Sequence, residues 1–231
     1  MKTLLIEELK EIIRNKKFLL VIALSFIVCY TALSSGFFQI AYLIFFKVKN
    51  TIPFPLTITY YLLYILMPIF ALIIGHDIIS SDIENKTIRT ILTKVKRADY
   101  LVIKFLIIFI PLITITFLLL FSASIYTYLK IGEISIYDPI LFFLYLTLYI
   151  AALSSITLFF SSIASRSISS LILTITLHII LLYTGNSPFS LYHHINTVID
   201  KTSLIIPISI FILFYLSFFY ISLFLFQRRD L

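Results

Sequence analysis

The sequence predicts an all-α integral membrane protein with six transmembrane helices, and three observations lead there. Of 231 residues, 61% are hydrophobic and only 13% are charged, which is too few charges to cover a water-facing exterior. The mean hydropathy of +1.09 belongs to a chain whose solvent is largely lipid. The apolar residues also gather into six runs, most of them reaching the roughly 20 residues a helix needs to cross the hydrocarbon layer. Backbone amides must be paired in lipid, and the ten-residue alternation of a membrane barrel is missing, so the runs are read as helices.

The excess of seven basic charges does not point to nucleic acid. Basic residues lie in short stretches between apolar runs, where lipid head groups and orientation rules account for them. Cys29 is the single cysteine. It excludes an intrachain disulfide and sits in an apolar run without metal-ligand spacing.

Taken in chain order, residues 1–17 are expected to form an interfacial helix. Leu5, Leu9, Ile12 and Ile13 recur at helical spacing, with Glu7, Glu8, Lys10, Glu11 and Arg14 between them; a soluble helix tip is the plainer alternative. The first apolar run, Phe18 to Phe38, is not expected to be a secretory leader, because three glutamates stand where a basic region belongs. The second run spans Leu56 to Ile74.

Between the second and third runs lies a polar stretch, residues 80–98, with the features of a cytoplasmic helix. Ser81 and Glu84 have capping-box spacing. Ile88, Ile91, Leu92 and Val95 form one apolar face, with Arg89, Lys94, Lys96 and Arg97 around it. Positive charges that only fix topology need no ordered helix, so this face is expected to dock on a cytoplasmic partner. The third run, Leu101 to Tyr126, follows.

Asp138 and Pro139 supply a cap and first-turn pair for the fourth run, Ile140 to Ile163. The fifth, Ile168 to Leu182, is short and contains His178, and the charges decide for it. With six spans, only Lys47, Lys49, Lys130 and Lys201 of the eighteen basic residues fall outside, and both termini are cytoplasmic. Gly185 and Asn186 can close that helix. Residues 185–203 then form an outer segment, and Leu204 to Phe226 make the sixth run. His193, His194 and Asp200 in the outer segment lack the spacing of a metal site, and their reading is interfacial polarity. His76 and Asp77 fall at the inner interface, where capping or a partner contact fits better than a proton relay. Tyr60, Tyr61 and Tyr64 either line a path or sit as ordinary interfacial residues, and Pro68, Pro111 and Pro207 are candidate kinks. No repeat or linker divides the chain, so residues 1–231 are read as one membrane domain.

Asp82, Glu84, Thr87, Ile88, Leu92, Arg97 and Lys104 resemble the pattern of type-2 ABC transporter permeases. In that pattern the second span is followed by an acidic pair, Gly-Thr, an apolar helix, a basic residue and then Lys in the third span. Lys86 stands here in place of the usual glycine. A serine-rich inner turn at Ser161 to Ser170 fits the same outline. The resemblance implies a permease, more an exporter than an importer, in the cell membrane. It implies coupling to two separate ATPase subunits through Asp82, Glu84, Thr87, Ile88, Arg89, Ile91, Leu92 and Arg97, and pairing with a second permease chain, identical or different. The chain has four glycines and no GxxxxGK[ST] phosphate loop. It is therefore read as no enzyme and as carrying no cofactor, ATP and Mg²⁺ being expected in the partner.

The alternatives differ in their chemistry. A transporter or channel needing no ATPase fits the helix count, but the spans carry almost none of the midplane charges such proteins use. A membrane-embedded enzyme would need a His-carboxylate cluster or a GxSxG elbow. An immunity or scaffold protein would not need the docking helix.

Overall fold

A computed structural model describes residues 2–14, 16–34, 54–132, 135–183 and 205–229. The described residues are helical apart from short turns, as the apolar runs require. The helices are α1 (Lys2–Arg14), α2 (Lys16–Ser34), α3 (Phe54–Gly75), α4 (Ser80–Glu84), α5 (Thr87–Leu92), α6 (Arg97–Ile131), α7 (Tyr137–Ile163), α8 (Ser167–Tyr183) and α9 (Ile205–Arg228). Four of them, α3, α6, α7 and α9, are long and apolar enough to cross a membrane, and shorter apolar helices cover Phe18–Thr31 and Ser167–Leu181. At 1.5 Å per residue the 17 residues of α8 reach about 25 Å, slightly under the ~30 Å of a hydrocarbon layer.

The centre of the bundle is α7, which packs against α9, α6, α3 and α8. Its inward side is small and polar over Ala151, Ala152, Ser154, Ser155 and Thr157, all buried, and small residues let neighbouring helices approach closely. Hydroxyls within the helices return to their own backbone: Thr116 donates to the Leu112 carbonyl, Ser155 to Ala152 and Thr157 to Leu153, at 2.8–2.9 Å. A hydroxyl satisfied in this way can face hydrocarbon at little cost.

Toward the other end of the bundle, aromatic rings hold α3, α7 and α9 together. Tyr64 and Tyr149 stack at 4.2 Å between centroids with 2° between planes. Tyr60 stacks on Phe142 at 4.5 Å, and Phe211 of α9 meets both Tyr145 and Tyr149. Tyr60 and Tyr64 are thus fully buried packing residues and line no open path in this conformation. Pro68 explains one detail of the stack. It has no N–H to give to the carbonyl four residues earlier, and the Tyr149 hydroxyl donates to that carbonyl, Tyr64 O, at 3.2 Å.

Two of the three prolines expected as kinks lie inside helices, Pro68 in α3 and Pro111 in α6. Pro207 instead occupies the third position of α9, a first-turn place where no intrahelical donor is lost. The expected Asp138 cap is also displaced. α7 begins two residues earlier, at Tyr137 behind Ile136, which makes no side-chain cap, and Asp138 lies buried in the first turn. A carboxylate there still favours the positive end of the helix. Gly185, Asn186, His193, His194 and Asp200 lie outside the described residues.

Gly75 marks the tightest crossing. A Cβ on it would come within 2.8 Å of both Ile108 Cδ1 of α6 and Thr157 Cγ2 of α7. Gly75→Ala is expected to destabilise the fold by about 1–3 kcal/mol through overpacking, read as a lowered denaturation midpoint in detergent. A midpoint equal to that of the parent would show that α3, α6 and α7 do not meet this closely.

Candidate functional site

The polar groups that the described helices bury most carefully gather at one end of the bundle. Here α3 ends, α4 and α5 cross, α6 and α8 begin, and α7 and α9 end. The motif residues assemble around Asp82 of α4. Its Oδ2 accepts a 2.6 Å hydrogen bond from the Tyr100 hydroxyl and lies 3.1 Å from Lys104 Nζ. The Thr87 hydroxyl is 3.2 Å from both the carbonyl and a carboxylate oxygen of Asp82. Lys104 also donates to both carboxylate oxygens of Glu8, at 2.8 and 2.7 Å. One buried ammonium, 5% exposed, therefore ties α1 to α4 at the root of α6. Two carboxylates around it satisfy the general need of a buried cation for partners.

Glu84 works on a different helix. Its carboxylate accepts from both the amide and the hydroxyl of Ser167 at 3.1 Å, so it caps the first turn of α8 from outside. These two donors hold the Glu84 carboxyl below the usual glutamate range. The capping box expected from Ser81 and Glu84 does not form. Ile79, the residue before α4, has helical angles and no side-chain cap, because the chain keeps turning from α3 through Ser80 instead of opening into an extended cap. The cap comes across the bundle: Ser161 Oγ of α7 accepts from the amides of Ile79 at 2.9 Å and Ser80 at 3.1 Å.

Arginines close the helix ends beside this assembly. Arg97 Nη1 donates to the carbonyls of Phe226, Gln227 and Arg229 at the end of α9, at 2.7–3.3 Å. Arg229 in turn donates to Ser162 and Ala164 at the end of α7. Both place a cation on the unpaired carbonyls and negative dipole of a helix C-terminus. His76 Nδ1 bonds to the Leu72 carbonyl at 2.8 Å, a capping role at the end of α3.

Lys86, in the glycine position of the motif, has φ 59° and ψ 11°. The left-handed turn between α4 and α5 is therefore kept without the glycine, at a cost of roughly 1–2 kcal/mol for an L-residue. Lys86→Gly removes that strain and adds unfolded-chain entropy worth about 0.5–1 kcal/mol. A net gain of up to ~1 kcal/mol is expected in detergent denaturation, and a loss would show that the turn does not need glycine-like freedom.

The apolar face expected to meet a partner turns the other way. Ile88 is 2% exposed, and Ile91, Leu92 and Val95 pack against the core of the bundle. A stripe beside a bundle of this hydrophobicity buries itself on the nearest apolar surface. What α5 and the turns around it present to solvent is Lys86, Thr87, Arg89, Thr90, Thr93, Lys94 and Lys96. In α1, Leu5 and Leu9 are half-buried beside Glu8, and Ile6 and Ile13 are exposed at 51% and 56%. The side chain of Ile12 lies outside the described residues.

Among the described residues no group of His, Cys, Asp and Glu could hold a metal ion. The family model for the ABC-2 family transporter protein matches residues 2–224. No curated protein matches the chain.

Proposed function

Because the chain belongs to the ABC-2 transporter family, and is thus a multi-pass membrane permease of an ABC transporter, we propose that it forms the substrate path of an exporter driven by two copies of a separate ATPase. A second permease chain, the same or different, completes the path. The polypeptide crosses the cell membrane six times, with both termini cytoplasmic. This topology is supported by the meeting of α1, α4, α5 and the end of α9 at one end of the bundle, which needs an even number of crossings between them. The sequence has no GxxxxGK[ST] phosphate loop, which supports placing ATP and Mg²⁺ in the partner.

The observation that carries the coupling role is the position of α4 and α5. α4 is bonded to four other helices through Asp82–Lys104–Glu8, Glu84–Ser167 and Ser161, while the exposed side of α5 and the turns that flank it is basic. A push on such a segment reaches α1, α6, α7 and α8 together, since packed elements bonded in this way move as units. Asp82, Glu84, Thr87 and Arg97 are then the residues that transmit the push, and Ile88, Ile91 and Leu92 are the keel that seats the segment. Arg89, with Lys94 and Lys96, makes first contact with an acidic surface on the ATPase.

Copurification of the tagged chain from its native membrane tests this reading. An ATPase bearing a phosphate loop should accompany it. Reversing Arg89, Lys94 and Lys96 to Glu should cut its recovery at least tenfold with the permease still folded, because like charges across an interface cost several kcal/mol. Recovery of no ATPase in several mild detergents would sink the reading. Full recovery with the triple reversal would move the contact elsewhere.

A further inference from the structure

We propose that the outward face of α1 binds anionic phospholipid head groups, with Ile6 and Ile13 entering the boundary of the bilayer and Lys10, Arg14 and Lys16 meeting the phosphates. The depth of α1 comes first. Its Glu8 is bonded to Lys104 at 2.7 and 2.8 Å, and from there α6 carries no charged residue until Lys130. α2 leaves the end of α1 with Lys16 and Lys17 and then carries none. Lys104 and this lysine pair therefore stand at the same edge of the hydrocarbon layer, and α1 lies between them at head-group level.

The contact of Glu8 sets the face. At about 100° per residue, Ile6, Lys10, Ile13 and Arg14 lie roughly 120–160° round the helix from Glu8, on the side turned away from Lys104. All four are exposed, Ile6 at 51% and Ile13 at 56%, and so is Lys16 at the start of α2. The isoleucines are two turns apart, about 10 Å along the axis, with Lys10 between them. A helix lying in the head-group region buries such apolar side chains and keeps its long basic ones at phosphate level.

The cations choose the lipid. Two isoleucines suit any bilayer, but Lys10, Arg14 and Lys16 outnumber the exposed Glu7, and each basic residue close to an anionic surface raises affinity roughly fivefold. A choline head group has no net charge to offer them. With lipid on one side of α1 and Lys104 on the other, an anionic bilayer keeps Glu8 seated on the cluster that ties α1 to α4. That consequence for coupling rests on the transporter reading; the binding itself does not.

The chain contains no tryptophan, so Ile13→Trp places a single fluorophore on this face and keeps it apolar. The full-length variant is reconstituted in mixed vesicles of phosphatidylcholine and phosphatidylglycerol, one or the other brominated to quench the indole. The relative binding constant for phosphatidylglycerol over phosphatidylcholine is expected to be roughly 5- to 30-fold at low salt. It should fall severalfold in about 1 M salt, and approach unity when Lys10, Arg14 and Lys16 are all changed to Gln. Leu213→Trp, at a site of α9 that is 64% exposed, reports the general lipid shell and should stay near unity. The salt titration needs no further substitution, so a misfolded triple variant leaves the test standing. Equal quenching of Ile13→Trp by the two lipids would overturn the proposal, and so would quenching by neither, which would put α1 in water or under a protein. A preference that matches that of Leu213→Trp, or that survives the triple substitution, would overturn it as well, since the charge of the whole chain would then be its source. The expected preference in a chain that recovers no ATPase would uphold the lipid site and remove its part in coupling.

Discussion

Lys104→Ala is expected to destabilise the protein by about 2–4 kcal/mol, read as a lowered midpoint of denaturation in mixed detergent micelles. Removing one member of a buried ion pair costs ~3–5 kcal/mol because the charge left behind is uncompensated. The value here is set toward the lower end because the Glu8 and Asp82 side chains keep 19% and 20% of their surface. Two carboxylates would remain, facing one another across the space the ammonium occupied, with only Tyr100 and Thr87 still donating to Asp82. Glu8→Gln in the same chain removes one of those charges and is expected to recover part of the loss, with a coupling of about 0.5–3 kcal/mol between the two sites. The functional effect follows from what Lys104 joins. Without it α1 is no longer tied to α4, so a push on the coupling segment would leave the interfacial helix behind. A Lys104→Ala midpoint within 0.5 kcal/mol of the parent would show that the cluster is wet and contributes as little as a surface pair.

The helices themselves were legible in the sequence, because long apolar runs between polar stretches leave a chain in lipid few choices. All six runs contain a helix, and the motif residues Asp82, Thr87 and Lys104 between the second and third gather in one cluster. What the residues do there was only half legible. Asp82, Thr87 and Lys104 came out as neighbours in a motif, but nothing in their spacing names Glu8, ninety-six positions from Lys104. A charged residue inside an apolar run is a signal that a partner must exist, and applied to Lys104 it would have prompted a search for carboxylates among the other inner segments. The stripe of Ile88, Ile91 and Leu92 was read with the right period and the opposite direction. Helical periodicity tells which residues share a face and not which neighbour covers it; here the bundle itself was the nearer apolar surface. Ser161 was less legible still, since one hydroxyl in a serine-rich turn carries no mark of the two amides it serves.

Ser161→Ala is therefore expected to have an effect out of scale with the loss of one oxygen. Ile79 and Ser80 are both fully buried, and their amides would lose the acceptor that ends their search for a partner. Each buried donor left unsatisfied costs ~1–3 kcal/mol, so a loss of about 2–4 kcal/mol is expected, with some relief if the turn relaxes toward water. The damage should be local before it is global. α4 has only five residues and too few internal bonds to stand alone, so the amides of Ile79 to Glu84 should exchange with deuterium well ahead of those in α7. Ser161→Thr keeps the oxygen and should restore protection while straining the packing by its added methyl. If the coupling segment transmits force, the alanine variant should keep its ATPase bound, through Arg89, Lys94 and Lys96, yet lose the dependence of hydrolysis on cargo. Unchanged exchange at Ile79 and Ser80 would mean that another group caps α4, and the rigid link from α7 to the coupling segment would then have to be abandoned.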